Sequence, residues 1–199
     1  MNGILFIFTT VPIVSEVLKA KGVYNPKKLF GVTTLDVIRA SRFISEVQGT
    51  DPTAEKVTVI GGHSGITIVP LISQTAHKSI PKEKLDALIN RIQFGGDEVV
   101  KAKDGAGSAT LSMASAGARM ASSVLAALSG KPSVTEPTFI DNPLYKSEGV
   151  EFFASPVTLG PDGVAEVHEY GPVEEYEAEM IATAKETLKK NIQKGIDFV

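Results

Sequence analysis

The chain contains no cysteine, which excludes disulfides, thiolate catalysis and cysteine-based metal sites. It also has no block of basic residues, and its formal net charge is −3. This charge balance argues against nucleic acid or an anionic membrane as the main partner. The apolar run Ile4–Phe8 is too short to cross a bilayer, and neither a positively charged start nor an Arg-rich leader accompanies it. We therefore expect neither a nucleic-acid partner nor a membrane partner.

The composition is typical of a folded domain. Hydrophobic residues make up 43% of the 199 residues, which is enough to bury a core, and the length predicts one domain or slightly more. Apolar spacing and turn residues divide the chain into helical and strand-like segments. The predicted helices are Val14–Lys21, Thr34–Val47, Pro81–Phe94, Ala109–Leu128 and Val173–Phe198. The predicted strands are Ile4–Phe8, Lys28–Val32, Lys56–Ile60, Thr138–Ile140, Val150–Thr158 and Ala165–Tyr170.

The order of these segments predicts an α+β fold. Pro161-Asp162-Gly163 is a turn sequence, so the strands on either side of it should form an antiparallel hairpin. The segment Ala109–Leu128 is rich in alanine, serine and methionine, and we expect it to be a buried, closely packed helix. Gly22 is well placed to end the first helix, and Thr33 or Thr34 could cap the second.

Three polar residues suggest half of an active site. Asp36 and Arg39 are three positions apart in a predicted helix, so their side chains can point into the same pocket. His63 lies in the glycine-rich sequence Gly61–Gly65. A carboxylate can hydrogen-bond to one ring nitrogen of the histidine and favour its protonated form, which leaves the other nitrogen for proton exchange. Because an arginine fork suits a carboxylate, the set favours proton transfer at an oxygen of a small carboxylic acid.

Each of these residues also has a simpler interpretation. Asp36 and Arg39 could form an ordinary ion pair on the helix, and His63 could be a loop histidine without chemistry. We expect His77 and His168 to be ordinary surface or partly buried histidines. A metal site is not expected, because no carboxylate pattern accompanies the histidines.

Five stretches of the chain match the ordered motifs of a known family. They are Gly22–Tyr24, Lys28–Arg39, Val59–Gly65, Gly107–Met113 and Phe152–Val157. With these motifs the chain resembles the NAD-dependent malate dehydrogenases of the lactate/malate dehydrogenase superfamily, particularly the mitochondrial and bacterial types. The resemblance begins at about Thr9. It implies the family's C-terminal catalytic domain over residues 33–199, and a remnant of the NAD-binding Rossmann domain over residues 1–32.

The resemblance also implies a reaction and a role for each polar residue. The substrates would be L-malate and oxaloacetate, and the cofactor would be NAD. His63 would accept the proton of the malate hydroxyl and return it to oxaloacetate, Asp36 would stabilise the imidazolium, and Arg39 would bind a substrate carboxylate. The hydride would pass directly to the nicotinamide.

Two further positions correspond to binding residues of the family. Met113 matches a position that packs near the nicotinamide, although it could equally be a core methionine. Ala109 and its neighbour Ser108 match small residues that line the substrate pocket, where their size would leave room for the second carboxylate. Close packing of a helix is the alternative explanation for these small residues.

Other parts of the family's pattern are missing from the sequence. No G-x-G-x-x-G turn occurs, and the mobile loop with two more substrate-binding arginines is absent. At Leu5–Phe8 the chain has apolar residues where the family has a segment of the Asn-Pro-Val-Asn type. We therefore expect an N-terminally truncated malate dehydrogenase that is inactive as an isolated chain.

Two alternative functions remain open. The chain could be a non-catalytic interaction protein that forms a homodimer, or pairs with a full-length subunit, through helices that include Asp36–Val47. Specificity for lactate or another 2-hydroxyacid is also conceivable, although Gly61–Gly65 and Gly107–Met113 favour malate. The location could be mitochondrial or cytoplasmic, and Asp197–Val199 does not match a peroxisomal signal.

Overall fold

The computed structural model of the chain describes residues 7–77, 79–107 and 110–199. These residues form the predicted α+β arrangement of helices around an antiparallel sheet. The main helices are α1 (Ile7–Ala20), α2 (Thr34–Gln48), α3 (Lys82–Ala102), α4 (Leu111–Leu128) and α5 (Glu175–Ile196). The strands are β1 (Val59–Gly61), β2 (Ile68–Pro70), β3 (Val134–Asp141), β4 (Phe152–Gly160) and β5 (Gly163–Val167).

Strand β4 organises the sheet. It pairs antiparallel with β3 along nearly its whole length, and it forms the predicted hairpin with β5 across the Pro161–Gly163 turn. Gly61 at the end of β1 pairs with Ala154 of β4, and β2 continues the sheet beyond β1. The loop that follows β1 therefore starts from the middle of the sheet.

Three clusters of buried apolar side chains form the core. The largest packs α5 against the sheet and includes Phe139, Phe153 and Leu188. The second joins α2 and α3 to β1 and β2 around Ile44 and Ile92. The third lies between α4 and strands β3 to β5. The first two clusters hold the elements on either side of the β1 loop in place.

The ends of the helices agree in part with the sequence signals. The predictions of α2, α3 and α5 are confirmed, although α3 continues to Ala102. Gly22 follows α1 with a φ of +67°, and its N–H donates to the carbonyl of Lys19. Thr33 occupies the N-cap position of α2, but its hydroxyl donates to the carbonyl of Pro137 rather than capping the helix.

The predicted strand Ile4–Phe8 is wrong in its described part. Ile7 and Phe8 belong to α1, and residues 4–6 lie outside the described residues. A short continuous apolar run does not distinguish a strand from a helix, and here the run leads into a segment with helical spacing.

The predicted strand Lys28–Val32 is also wrong as a strand. A short 3-10 turn spans Pro26–Lys28, and the segment then makes one isolated bridge, between Gly31 and Phe139. The proline favours a turn at the start of the segment, which leaves too few residues for a ladder.

The predicted burial of α4 is wrong as well. Ala116, Met120 and Ala127 are its buried residues, whereas Leu111 is 91% exposed and Leu125 is 63% exposed. Composition predicted the helix but could not show that a single stripe faces the sheet. Within the described ranges, α4 is also the one helix long and apolar enough to cross a membrane, which by itself is weak evidence for a membrane protein.

Candidate active site

The first turn of α2 places Asp36 inside the protein. Its backbone N–H donates to the carbonyl of Thr33, and its side chain is fully buried. A carboxylate in the first turn of a helix is stabilised by the positive end of the helix dipole. A buried carboxylate nevertheless requires a partner, because burying an unpaired charge is costly.

His63 is held in a tight loop between β1 and β2. The loop starts at Gly61, whose φ is +95°, and ends in the 3-10 turn Gly65–Thr67. The N–H of Gly62 donates to the carbonyl of Thr67 at 2.7 Å, which closes the loop around His63. Only glycine adopts the backbone conformation at the start of this loop without strain.

The structure brings His63 and Asp36 together. Nδ1 of His63 forms a short hydrogen bond with Oδ2 of Asp36. Burial lowers the pKa of His63, but the charge of Asp36 and this hydrogen bond raise the pKa by more, while Arg39 lowers it. The net result is a pKa above the ordinary value of 6.5, so the protonated imidazole is favoured.

Arg39 lies beside the pair, one helical turn after Asp36. Its Nη1 is 4.0 Å from Oδ1 of Asp36, and its side chain is 14% exposed. The Oδ1 atom has no hydrogen-bond partner among the described residues. The guanidinium lies close to α3, where a Cβ added at Gly96 would be 3.6 Å from Nη1. Arg39 thus combines a partial contact with Asp36 and a free edge facing a cleft.

That cleft has a volume of about 730 Å³ and lies between α2, α3 and the start of α4. Ser112, Ser115 and Arg119 of α4 line it together with Arg39. Arg119 is engaged in a two-pronged ion pair with Glu136, at 2.9 and 2.8 Å. Arg39 is therefore the better placed of these two arginines to bind an anion.

Arg119 was not singled out from the sequence, although a signal for it exists. Ser112, Ser115 and Arg119 follow helical spacing and so form one polar face of α4. The sequence could not show that this face turns towards Arg39, because that depends on how α2 and α4 pack together.

Of the other predicted residues, Met113, His77 and His168 lie within the described part of the chain. Ala109 and Ser108 lie outside the described residues. Met113 is half-buried, and its N–H donates to the hydroxyl of Thr110 as part of the α4 cap. His77 pairs with Glu55, and the ring of His168 hydrogen-bonds to a threonine. In the described part of the chain, no group of three or more histidines and carboxylates is arranged to hold a metal ion.

The fold is that of a dehydrogenase C-terminal domain. Residues 33–199 match the lactate/malate dehydrogenase, alpha/beta C-terminal domain family, and the chain belongs to this family.

The similar proteins are malate dehydrogenases. The chain is 69% identical over 191 residues to the mitochondrial malate dehydrogenase of Saccharomyces cerevisiae, covering 96% of this chain and 57% of that protein. The human mitochondrial malate dehydrogenase is 50% identical over 194 residues, covering 96% of this chain and 56% of that protein. The chain thus spans slightly more than half the length of these relatives.

Solved structures show the same fold. The malate dehydrogenase of Picrophilus torridus, solved in its apo form, superposes with a TM-score of 0.79 and 25% identity, covering 94% of this chain and 59% of that one. The malate dehydrogenase of Salinibacter ruber superposes with a TM-score of 0.76 at 21% identity, covering 91% of this chain and 59% of that one.

Proposed function

We propose that the chain carries the acid–base half of a malate dehydrogenase, which interconverts L-malate and oxaloacetate. The observation that carries the proposal is the buried pair of Asp36 and His63. Since Nδ1 of His63 is engaged by Asp36, Nε2 is the nitrogen that accepts the proton of the malate hydroxyl. In the reverse direction, the same nitrogen donates a proton to the carbonyl oxygen of oxaloacetate.

Arg39 supplies the contact to the substrate. Its guanidinium lies one helical turn from the proton-transferring pair and faces the cleft, where it can bind a carboxylate through two parallel hydrogen bonds. His63 is not among the described residues that line this cleft. We propose that a 2-hydroxyacid held by Arg39 extends beyond the cleft to bring its reacting oxygen to the His63 ring. We propose Ala109 as a further pocket residue and Met113 as a contact of the nicotinamide, both on the resemblance alone.

NAD is the proposed hydride carrier because of the family. Among the described residues, two candidates for a pyrophosphate site, a glycine loop and a helix end, lack the required strand–loop–helix form. The Gly61–Gly65 loop leads only into a 3-10 turn, and the N-terminus of α4 is already capped by Thr110. No step through NAD is therefore derived from these residues. We expect a polypeptide of these 199 residues alone to be inactive.

The test measures oxidation of NADH by oxaloacetate with the purified chain beside its His63→Asn variant. We expect no turnover above background from a folded sample of either protein. Turnover by the chain that disappears in His63→Asn would support the roles of the residues and overturn the inactivity. Equal turnover in both proteins would overturn the role of His63.

A second proposed function is pairing with another subunit, either a second copy or a full-length malate dehydrogenase. The exposed leucines of α4 and the exposed Val47 at the end of α2 favour it, because large apolar side chains are usually covered in a stable assembly. Light scattering of the chain, alone and mixed with a full-length relative, tests it. A strictly monomeric chain that forms no complex would overturn it.

The relatives also bear on location and domain organisation. Mitochondrial malate dehydrogenases are among the similar proteins, so we propose a mitochondrial location. We propose that residues 1–32 derive from the nucleotide-binding domain and that residues 33–199 are the catalytic domain. Fractionation with a tagged chain tests the first proposal, and limited proteolysis near residue 32 tests the second.

A further inference from the structure

We propose that Thr67 is a positioning residue that holds the His63 ring against Asp36. The inference rests on the proposed function, because it assigns Thr67 a part in proton transfer by His63. Thr67 lies in the 3-10 turn after the histidine loop and is 1% exposed. Its hydrogen bonds run to Ser64 and Gly62, so it acts through the backbone on either side of His63.

Thr67 fixes both neighbours of His63. Its hydroxyl donates to the carbonyl of Ser64 at 2.7 Å and accepts the N–H of Ser64 at 3.1 Å. Its own carbonyl accepts the N–H of Gly62 at 2.7 Å. A hydroxyl is the smallest side-chain group that can donate and accept at the same time. Thr67 thereby determines the course of the backbone immediately before and after the histidine.

The two glycines before His63 leave the space that Thr67 fills. A Cβ at Gly62 would be 2.5 Å from the Thr67 hydroxyl oxygen and 2.9 Å from Leu188 of α5. A Cβ at Gly61 would overlap the carbonyl of Thr67. The loop is therefore packed between Thr67 and Leu188, and neither contact can form if the loop moves outward.

The position of the His63 ring beside Asp36 can be measured through the pKa of His63. Burial lowers its pKa and the neighbouring Asp36 raises it, so the net rise depends on the ring staying at the carboxylate. A loop that loses its hydroxyl clamp would let the ring leave Asp36 and enter water. Leaving Asp36 removes the cause that raises the pKa of His63, and entering water removes the burial that lowers it. The pKa of His63 would therefore fall towards its ordinary value.

The experiment follows the ring signals of His63 by NMR across a pH titration of the 199-residue chain. His63→Gln identifies the signal among the three histidines. Thr67→Val keeps the shape but removes the hydroxyl, and we expect it to lower the pKa of His63. Thr67→Ser keeps the hydroxyl and should restore the wild-type titration.

Thr75→Val is the matched control. The Thr75 hydroxyl is also buried and donates to a carbonyl three residues earlier, that of Ile72, at 2.7 Å. Its loss should leave the His63 titration unchanged. A folded Thr67→Val chain with the wild-type titration would overturn the inference, and so would an equal shift in Thr75→Val.

Two further readouts separate the possible failures. In the wild-type chain, the amide protons of Gly62 and Ser64 should be protected from hydrogen exchange, and rapid exchange at both would overturn the clamp even if Thr67→Val does not fold. If an active form is found, Thr67→Val should lower its kcat by about tenfold or more, since small misplacements of catalytic groups have large effects. Because the 199 residues alone are expected to be inactive, malate dehydrogenase activity tests the proposed function separately, and the titration tests Thr67.

Discussion

The protonation of His63 depends on one carboxylate acting against burial. A buried imidazole is easier to keep neutral than charged, and the nearby guanidinium of Arg39 adds to that tendency. Asp36 reverses the balance because it is fully buried and directly hydrogen-bonded to the ring. The pair therefore favours the protonated imidazole, which a site that donates a proton to its substrate requires.

Replacing Asp36 by asparagine should lower the pKa of His63 below 6.5. Burial and Arg39 would then remain as the main influences, and both lower the pKa. An NMR titration of the His63 ring in Asp36→Asn measures the change. Asp162→Asn, in the exposed turn between β4 and β5, is the control and should have no effect. A pKa that stays raised in Asp36→Asn would contradict the assignment of the cause.

The same pair should make stability depend on pH. Because the pKa of His63 is higher in the folded chain than its ordinary value of 6.5, its contribution to stability is complete below that value and is lost as pH rises through the folded pKa. Urea unfolding at about pH 6 and about pH 9 should show a larger loss of unfolding free energy for His63→Gln at the lower pH. His168→Gln is the comparison variant. Equal losses of unfolding free energy for His63→Gln at about pH 6 and about pH 9 would contradict the linkage.

The sequence predicts this site only in part. The spacing of Asp36 and Arg39 follows from helix geometry, so their common face could be inferred directly. The approach of His63 depends on the tertiary packing of β1 beside α2, and the resemblance to a family was needed to expect it. Thr67 was missed because its contacts are made by loop closure, which leaves no regular spacing. Arg119 was missed because its helical spacing shows a polar face of α4 but not that this face turns towards Arg39.

At the scale of the element, Gly61 is the residue on which the histidine loop depends. Gly61→Ala should lower the free energy of unfolding by more than about 2 kcal/mol, since positive φ strain and overlap with Thr67 add together. Gly22→Ala is the matched control, with positive φ but nothing within 4 Å of the added Cβ, and should lose about 1 kcal/mol. If urea unfolding shows equal losses of unfolding free energy for Gly61→Ala and Gly22→Ala, the overlap with Thr67 contributes nothing.

The start of α5 depends on a buried carboxylate. Glu177 accepts the N–H of Ser73 at 2.9 Å, the N–H of Glu174 at 3.0 Å and the hydroxyl of Tyr176 at 3.1 Å. Glu177→Gln would turn an amide donor towards groups that themselves donate, so it should lower the free energy of unfolding by about 2 kcal/mol. The exposed Glu175 is the control, and its change to glutamine should stay within about 0.5 kcal/mol. A neutral Glu177→Gln would contradict this role.

Periodicity predicted the elements well where each had one apolar face. Helices α2, α3 and α5 are of this kind. The β4–β5 hairpin was predicted from its turn sequence instead. Periodicity failed at Ile7 and Phe8, the described part of the predicted strand, because a short apolar run fits a strand or a helix equally. It also failed to place α4, because small residues such as alanine and serine are accepted both in cores and on surfaces.

At the scale of the whole molecule, α4 exposes apolar surface to solvent. Leu125 is 63% exposed, so Leu125→Gln should leave the free energy of unfolding within about 0.5 kcal/mol of the wild-type value while reducing the binding of an apolar dye. Leu188→Gln, at a fully buried position, should unfold the chain. The prediction applies to the chain when it is not paired with a second copy. A strongly destabilised Leu125→Gln would show that such pairing covers the leucine in solution.

The packing of α5 has a consequence for the order in which the chain folds. Gly195 of α5 lies so close to α1 that an added Cβ would be 2.7 Å from the carbonyl oxygen of Thr9. Leu188 of the same helix contacts Gly62 in the histidine loop, which is also distant from it in sequence. Contacts between distant residues form late, because loop closure is costly before they are made. The surroundings of His63 should therefore be among the last parts of the molecule to become ordered during folding.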